Sequence, residues 1–502
     1  MSQPRNPTEV VAKARECFKK GLTKSLKQRR TNLKNYLNFI NENQEAIIQT
    51  NYDDLRQHRE EVRLQIGLVV AHVEVTLDNL TKWVKPESKP KRWVDALDGL
   101  YVYKDPLGVV LVVGTWNVTL LTLAPVVGAI AGGNCVVIKP SHNSPSFGQL
   151  LETVLPRYLD PDCFPVFVAD IDATTKLLQE RFDYLYYTGA TTVGRLIHQA
   201  ANKHLTPVTL QLGGKNPVYI DESADLFLTS RRLMWGKTWN SGQICLSPDY
   251  VLCTKSTQDK LIKYCKVALD HFHNQDPHCC PIVNDFHFKR LQNLLSGLEI
   301  AIGGRVDPLD NHIEPTIATN VSPEHPIMKE EVFGPILPIV PIDGYKEAVD
   351  FVNKREKPLA LYIYTMKKSI GDYFLENTSS GSVVVNDNLT QLITESLPFG
   401  GVGYIGMGRY KGKDGFDTFV HKKAVLVKTT CPIVEKLHEL RYRPFVPYKL
   451  GVVEFFYKYR KGISWGWLVY VGIFLLGCAV GLLLFYFAHG IWEELPPKYL
   501  NT

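Results

Sequence analysis

The chain has 502 residues, of which 45% are hydrophobic and 22% are charged, an ordinary composition for a globular protein of two or three domains. Lysine and arginine outnumber aspartate and glutamate by 57 to 51, and so small and scattered an excess gives no support to a nucleic-acid partner. The first 20 residues lack the apolar core of a secretory signal, so we expect the ten cysteines to stay reduced and face the cytosol. None has C-x-x-C spacing, so no metal site is expected.

The N-terminal part of the chain is predicted to be helical. Apolar residues recur at helical spacing through residues 8–83, with lysine and arginine between them. Lys85–Lys91 contains Pro86 and Pro90 among lysines and breaks the pattern. A strand is then expected at Tyr101–Tyr103, leading into a turn at residues 105–108.

After Gly108, apolar strands alternate with helices. The strands are predicted at Val109–Val113, Cys135–Lys139, Phe164–Val168, Tyr184–Tyr187 and Val208–Leu212, and the helices at Val118–Ala131, Phe147–Tyr158, Thr174–Arg181 and Val193–Lys203. Strands without polar alternation, each followed by a helix, indicate a parallel sheet covered on both faces. Ligands bind such sheets at the carboxyl ends of the strands, so residues that follow strands are the positions of interest.

A second alternating block predicts a second α/β domain. Its strands are expected at Tyr250–Cys253, Ile336–Ile342, Leu359–Tyr364 and Ser382–Val385, and its helices at Leu226–Trp239, Leu261–Phe272 and Lys346–Lys354. The glycine-rich stretch Pro398–Gly403 is suited to a close approach of the backbone.

The C-terminal stretch Trp465–Ala488 is predicted to cross a membrane. It contains about 24 uncharged residues, roughly 36 Å as a helix, against a hydrocarbon core of about 30 Å. Lys458, Arg460 and Lys461 precede it, and because basic flanks stay in the cytosol, the rest of the chain is expected there too.

Cys245 is the expected nucleophile. It lies among small and amide residues in the stretch from Asn240 to Tyr250, between a predicted helix and a predicted strand. A thiol at such a junction can be exposed and have a lowered pKa, both of which a nucleophile needs. A lone cysteine is more often an inert core residue, so the neighbouring motifs must decide.

Seven ordered motifs resemble the aldehyde dehydrogenase superfamily, and most closely its class 3 fatty aldehyde dehydrogenases. They are Gly114–Asn117, Gly128–Ser141, Tyr187–Gly194, Lys203–Leu210, Gly242–Cys245, Glu330–Pro335 and Pro398–Gly403. The resemblance implies an α/β fold with a Rossmann-like cofactor domain, an α/β catalytic domain and a C-terminal transmembrane helix. By this resemblance residues 1–84 and 104–214 form the NAD(P)-binding domain, 215–414 the catalytic domain, 85–103 and 415–430 oligomerisation strands, 431–461 a segment at the substrate mouth and 465–488 the anchor.

The resemblance implies oxidation of long-chain aldehydes to carboxylic acids. The Cys245 thiolate attacks the aldehyde carbon, while the Asn117 amide and the Cys245 backbone N–H receive the oxyanion. Hydride transfer then leaves a thioester for water to hydrolyse. For NAD the implied residues are Trp116, Lys139, Gly189, Thr191, Val193, Gly194, Leu212, Gly213, Glu331 and Phe333, with Lys139 on the adenine ribose and Glu331 on the nicotinamide ribose. A homodimer on the cytosolic face of the endoplasmic reticulum membrane is also implied.

Two departures from the family pattern matter. Gln211 occupies the position of the usual general-base glutamate. An amide cannot accept the proton of the hydrolytic water, so thioester hydrolysis is expected to be slower by roughly 10²–10⁴-fold unless Glu331 replaces it. His142 replaces a carboxylate that usually follows Lys-Pro-Ser, and removing a charge that would repel a 2′-phosphate predicts better tolerance of NADP.

Three hypotheses therefore remain from the sequence. The chain is a membrane-anchored NAD(P)-dependent aldehyde dehydrogenase, or it is a relative that lost turnover together with its base at Gln211. A third alternative is release of the acyl group to coenzyme A, which would also account for the missing base, although no residues mark a coenzyme A site.

Overall fold

The computed structural model describes residues 6–92, 95–276, 279–458 and 465–494. Two compact units are present. One comprises Met1–Lys85 and Lys104–His421, and the other comprises Pro86–Tyr103 and Lys422–Thr502.

The helices are numbered in chain order. They are α1 Pro7–Lys19, α2 Leu26–Glu42, α3 Gln44–Leu55, α4 Arg59–Val84, α5 Pro125–Gly132, α6 Pro145–Val154, α7 Ile171–Leu177, α8 Thr191–Asn202, α9 Leu226–Thr238, α10 Lys255–Gln275, α11 Asp285–Leu294, α12 Tyr345–Asn353, α13 Lys368–Asn377, α14 Gly412–Thr418, α15 Pro432–His438, α16 Pro447–Lys458 and α17 Trp465–Glu494.

The strands are numbered in the same way. They are β1 Glu87–Ser88, β2 Gly99–Pro106, β3 Val109–Val113, β4 Cys135–Lys139, β5 Tyr184–Gly189, β6 Val208–Leu212, β7 Pro217–Ile220, β8 Tyr250–Cys253, β9 Glu299–Ile302, β10 Val306–Asp307, β11 His312–Ile313, β12 Thr316–Thr319, β13 Ile336–Pro341, β14 Ala360–Tyr364, β15 Ser382–Val385, β16 Gly406–Met407 and β17 Val420–Val427.

The first unit contains two large sheets, which confirms the predicted α/β class. The five-stranded sheet has the order β16-β6-β5-β3-β4 and is parallel except for β16 at its edge. Every residue of β3 and β4 is buried, as expected for strands covered on both faces. β16 lies within residues 215–414, the range predicted for the catalytic domain, but pairs with β6 of this sheet.

Two predicted elements in this region were wrong. The strand expected at Phe164–Val168 is only an isolated bridge between Val166 and Ile138, because Pro165 has no N–H to donate to a ladder. The helix expected from Val118 begins only at Pro125 as α5, after a 3-10 turn at residues 121–123. Proline can begin a helix but not continue one.

The seven-stranded sheet has the order β15-β14-β7-β8-β13-β12-β9. Its strands are parallel except for β9, which pairs antiparallel with β12. Neither β9 nor the short β10–β11 pair was predicted from the sequence, because β9 has only four residues, three of them exposed, and β10 and β11 have two residues each.

The second unit contains most of a three-stranded sheet with the order β1-β2-β17. The predicted oligomerisation strands at 85–103 and 415–430 overlap with these strands, and their role in assembly stays a prediction. Among the described residues, no helix meets the length and apolarity needed to span a bilayer. In α17 the described side chains run from Tyr470 to Phe485, and the anchor at 465–488 stays a prediction.

Candidate active site

Cys245 lies in a strained loop between α9 and β8. Asn240, Ser241 and Gly242 all have positive φ, at 49°, 52° and 70°. A Cβ on Gly242 would collide with the carbonyl oxygen of Gly334, so the close approach requires glycine. Cys245 lies in this loop and is partly exposed, whereas the residues on either side of it are buried.

The Cys245 thiol does not have the lowered pKa that its junction position suggested. Burial, and then the charge of Glu331, raise the pKa of Cys245 to about 12. The sulfur is enclosed by its neighbours although the residue has some exposed surface, and burial disfavours the thiolate. A proton acceptor is therefore needed before this thiol can act as a nucleophile.

Asn240 connects the nucleophile loop to Asn117. Its side-chain Nδ2 donates to the carbonyl oxygens of Asn117, at 2.9 Å, and Gln243, at 3.2 Å. Its backbone N–H donates to both carboxyl oxygens of Glu61, at 3.2 and 3.1 Å. The Cys280 thiol donates to its Oδ1 at 3.3 Å. The backbone N–H and both polar atoms of the Asn240 side chain thus hold the loop in place.

Asn117 follows β3 and is 2% exposed. Its Nδ2 donates to the carbonyl oxygen of Gln243 at 2.9 Å, two residues before Cys245. A side-chain amide carries two hydrogens, and this contact uses one, so a second N–H remains for a developing oxyanion. The structure brings Asn117 to the nucleophile loop, which fits the role that was predicted.

Gln211 lies in β6 and is 3% exposed. Its Nε2 makes one long contact, 3.4 Å, with the carbonyl oxygen of Phe399. Its Oε1 is fully buried and has no hydrogen-bond partner in the described part of the chain. A buried acceptor without a partner is costly, and a neutral amide can orient a donor here but cannot take a proton from it.

Glu331 lies against the end of β6. A Cβ on Gly213 would collide with the Glu331 carboxyl, so only glycine permits this arrangement. Burial, then the charge of Asp249, raise the pKa of Glu331 to about 8, although Lys215, the Gly214 N–H and Arg290 act in the opposite direction. Glu331 is thus a carboxyl group with a pKa close to neutral, within electrostatic range of Cys245.

Trp116, Phe333 and His287 form one group of rings. Trp116 meets Phe333 edge-on, with ring centroids 5.8 Å apart, and its ring lies 6.3 Å from that of His287. Phe333 has a positive φ of 47°. His287 was not predicted as a site residue, because it lies inside α11 and no motif marks it. Burial and the Arg290 charge lower its pKa, which keeps the ring neutral.

Lys139 is the last residue of β4, and His142 lies three residues after it. Lys139 is 3% exposed, and burial lowers its pKa to about 8 although Asp170 acts in the opposite direction. No hydrogen-bond or ion-pair partner of its ammonium occurs among the described residues. Partial burial and the Lys139 charge lower the pKa of His142, although Asp170 acts in the opposite direction, so the ring is neutral at neutral pH and lies within electrostatic range of the Lys139 ammonium. A buried lysine without a partner is suited to an anionic or hydroxyl-bearing ligand.

The start of α8 is open. Gly189 and Ala190 lead into Thr191, and no side chain caps the first N–H groups of the helix. Val193 is 43% exposed, whereas Gly194 is buried against Leu212. Uncapped N–H groups at a helix N-terminus favour a phosphate.

These residues fit a dinucleotide. The open start of α8 suits a pyrophosphate, unpartnered Lys139 suits a ribose or its phosphate, and Glu331 against Gly213 suits a second ribose. Within the described ranges, no group of three or more histidine, cysteine, aspartate or glutamate side chains is arranged to hold a metal ion.

Comparison with known proteins agrees with this geometry. The model of the aldehyde dehydrogenase family matches residues 2–425. Rat aldehyde dehydrogenase family 3 member B1 is 42% identical over 451 residues, covering 89% of this chain and 96% of the relative. Rat "aldehyde dehydrogenase, dimeric NADP-preferring" is 41% identical over 443 residues, covering 87% and 97%. The substrate-bound Staphylococcus aureus AldH structure has a TM-score of 0.85 and 33% identity, covering 90% of this chain and 100% of that one.

Proposed function

This chain belongs to the aldehyde dehydrogenase family, an NAD(P)-dependent oxidoreductase family that converts aldehydes to acids, and we propose that its own substrates are long-chain aldehydes oxidised through Cys245. The observation that carries the proposal is the loop that contains Cys245. Asn240 and Gln243 of this loop are hydrogen-bonded to Asn117, so the segments that carry the proposed nucleophile and oxyanion donor are joined directly.

In the proposed first half of the reaction, the Cys245 thiolate attacks the aldehyde carbon and forms a carbon–sulfur bond. The oxygen of the resulting thiohemiacetal carries a negative charge, which the remaining Asn117 N–H and the Cys245 backbone N–H stabilise. Each such donor is worth about 2.7–4 kcal/mol. Bound NAD(P) supplies the hydride acceptor, and loss of hydride from the carbon leaves a thioester on Cys245.

We propose that Glu331 accepts the proton of the Cys245 thiol. The thiol, with a pKa of about 12, is protonated at neutral pH. Glu331, with a pKa of about 8, is an acceptor whose pKa lies near the working pH, as general bases require. Gln211 has no site for the proton. Glu331 ionises as pH rises through about 8, so acylation is expected to accelerate over the same range.

The second half of the reaction is proposed to be slow. Water must attack the thioester while losing a proton, after which the carbon–sulfur bond breaks and the acid leaves. Gln211 can accept a hydrogen bond from this water through its unpartnered Oε1 but cannot remove the proton. Glu331 would first have to release to solvent the proton that it took from Cys245, then take the proton of the water and return it to the departing Cys245 thiolate, so hydrolysis is expected to limit turnover.

For the cofactor we propose that both NAD and NADP are used. Lys139 presents a cationic group where the family places the adenine ribose, and the neutral His142 provides no negative charge to repel a 2′-phosphate. The 41%-identical rat relative whose name says NADP-preferring supports this proposal. The same name says dimeric, and we propose a homodimer for this chain.

We propose that α17 anchors the chain in the endoplasmic reticulum membrane, with the enzyme body in the cytosol. The residues from Tyr470 to Phe485 are all exposed, and they are apolar or small around the whole helix. Such a surface is costly in water, which supports a lipid environment. An enzyme held there would meet aldehydes that partition into the bilayer, which supports long-chain substrates.

A single-turnover experiment tests the proposal. The full chain in detergent micelles is mixed with a long-chain alkanal and NAD, and NADH is followed by absorbance. A burst stoichiometric with enzyme, followed by a slow steady rate, is expected. No burst with any aldehyde or cofactor would overturn the proposal in favour of a relative that lost turnover. A steady rate that appears only when coenzyme A is added would replace hydrolysis by transfer to that thiol.

A further inference from the structure

Arg290 projects from α11 to the segment that carries Glu331. Its Nη1 donates to the carbonyl oxygen of Glu331 at 3.2 Å, and its Nη2 donates to that of Val332 at 2.6 Å. It also pairs with Glu330 at 3.7 Å, and its side chain is only 19% exposed. A planar guanidinium can bridge two acceptors in this way, whereas an ammonium is a single point charge.

The opposite side of the same segment is held by a second ion pair. Asp249 accepts the Val332 N–H at 2.8 Å and pairs with Lys215. Lys215 also donates to the carbonyl oxygen of Glu330 at 2.8 Å. Three consecutive residues, 330 to 332, are thus fixed from both sides before Phe333 turns the chain with its positive φ.

These contacts hold the backbone from which the Glu331 side chain reaches Gly213. The carboxyl packs against Gly213, where any side chain would collide with it. Glu331 interacts electrostatically with titratable groups on several neighbouring segments. They are Asp249, Lys215, Arg290, Cys245 and Lys237. Of these, only Arg290 also donates hydrogen bonds to the Glu331 and Val332 carbonyls.

We propose that Arg290 is a positioning residue of the cofactor site, which holds the Glu331 carboxylate where a cofactor ribose meets it. The inference rests on the proposed function, in which Glu331 binds that ribose. No motif in the sequence marks Arg290, which lies within the middle of a helix.

Equilibrium binding of NADH, followed by its fluorescence, tests the inference without any aldehyde turnover. We expect Arg290→Met to weaken NADH binding by about ten- to one-hundredfold, since it removes two charge-assisted hydrogen bonds. Arg290→Lys retains the charge but cannot bridge both carbonyls, and is expected to lose about threefold. Arg305→Met is the matched control, because Arg305 is 87% exposed and pairs only with Glu314 in the described structure.

A thermodynamic cycle with Glu331→Gln separates positioning from a general structural effect. If Arg290 acts through Glu331, the double variant binds NADH no more weakly than Glu331→Gln alone. If the losses of NADH affinity in the two single variants multiply in the double variant, the inference is overturned. Wild-type NADH affinity in a folded Arg290→Met variant would also overturn it. If Arg290→Met does not fold, the same cycle is measured with Arg290→Lys, and its result decides for or against the inference.

The pH profile gives an independent readout. The Arg290 charge lowers the pKa of Glu331, so removing it moves that pKa above about 8. Binding to the carboxylate is lost as pH falls through this pKa, and in Arg290→Met the loss is expected at higher pH. An unmoved profile would contradict the inference. An enzyme that passes these tests but oxidises no aldehyde would overturn the proposed function and leave this inference standing.

Discussion

The nucleophile loop and the strand that carries Gln211 differ in how completely their polar groups are used. In the loop, Asn240 engages Glu61, Asn117, Gln243 and Cys280 through its backbone and side chain. In β6, Gln211 has one 3.4 Å contact and a buried Oε1 without a partner among the described residues. Asn240 is thus held by several hydrogen bonds, whereas Gln211 is held by a single long one within the described structure.

This difference separates the two halves of the proposed reaction. The loop carries the thiol that acylation needs and is hydrogen-bonded to Asn117, the proposed amide donor. Hydrolysis needs a proton acceptor, and the carboxyl within electrostatic range of Cys245 is Glu331, which is also proposed to hold a cofactor ribose. Variants in each region should therefore affect different phases of NADH production.

The largest effect is expected from Cys245→Ala. Removing the nucleophile eliminates the covalent intermediate, so both the burst and the steady rate should fall by roughly 10⁵–10⁶-fold. Stopped-flow absorbance of NADH measures both. Cys431→Ala, which changes a partly exposed cysteine, is the control and should leave both unchanged. A burst that survives in Cys245→Ala would mean that another group is the nucleophile.

Asn117→Ala tests the oxyanion donor. Its loss is expected to slow the burst by about 10²–10³-fold. Water attack on the thioester also forms a tetrahedral oxyanion, so the steady rate should fall as well. Thermal unfolding is the control for the loss of the contact between Asn117 and the Gln243 carbonyl. An unchanged burst rate would remove Asn117 from the site.

Gln211→Glu tests the hydrolysis half. It should raise the steady rate by roughly 10²-fold and leave the burst unchanged, because a carboxylate can accept the proton of the water. The introduced group would be buried and face the Phe399 carbonyl, which now accepts from Gln211 Nε2. Both features raise the pKa of the introduced carboxyl, so the gain should increase as pH rises. Gln211→Leu is the matched control and should give no gain.

Much of this architecture was predictable from the sequence, and the exceptions have physical causes. Continuous apolar runs such as Val109–Val113 and Cys135–Lys139 identified buried parallel strands. The strand expected around Val166 does not form, because Pro165 has no N–H to donate to a neighbouring strand. β9 was missed because its residues are exposed and its pairing with β12 depends on chain folding.

The site residues were found by their motifs rather than by local pattern. His287 and Arg290 were missed because they lie inside α11, where a histidine and an arginine are ordinary helix residues. The pKa of Cys245 was also mispredicted, since burial and the charge of Glu331 depend on three-dimensional packing. The catalytic roles of the residues named from the sequence stay predictions, whereas the electrostatic environment around them could be read only from the structure.

The smallest expected effect is on the choice between NAD and NADP. It tests whether the residues around Lys139 still bind the cofactor, as the nucleophile loop is proposed to retain its own function. His142→Glu should reduce the preference for NADP over NAD by about tenfold, because a carboxylate beside Lys139 would repel a 2′-phosphate and neutralise the cation that attracts it. Burst rates with each cofactor should be compared, since hydrolysis would otherwise conceal the difference. His198→Glu, at an exposed position on α8, is the control for an added negative charge. An equal change in both variants would show a general effect of charge, whereas a change confined to His142→Glu would identify the residue that faces the 2′ position.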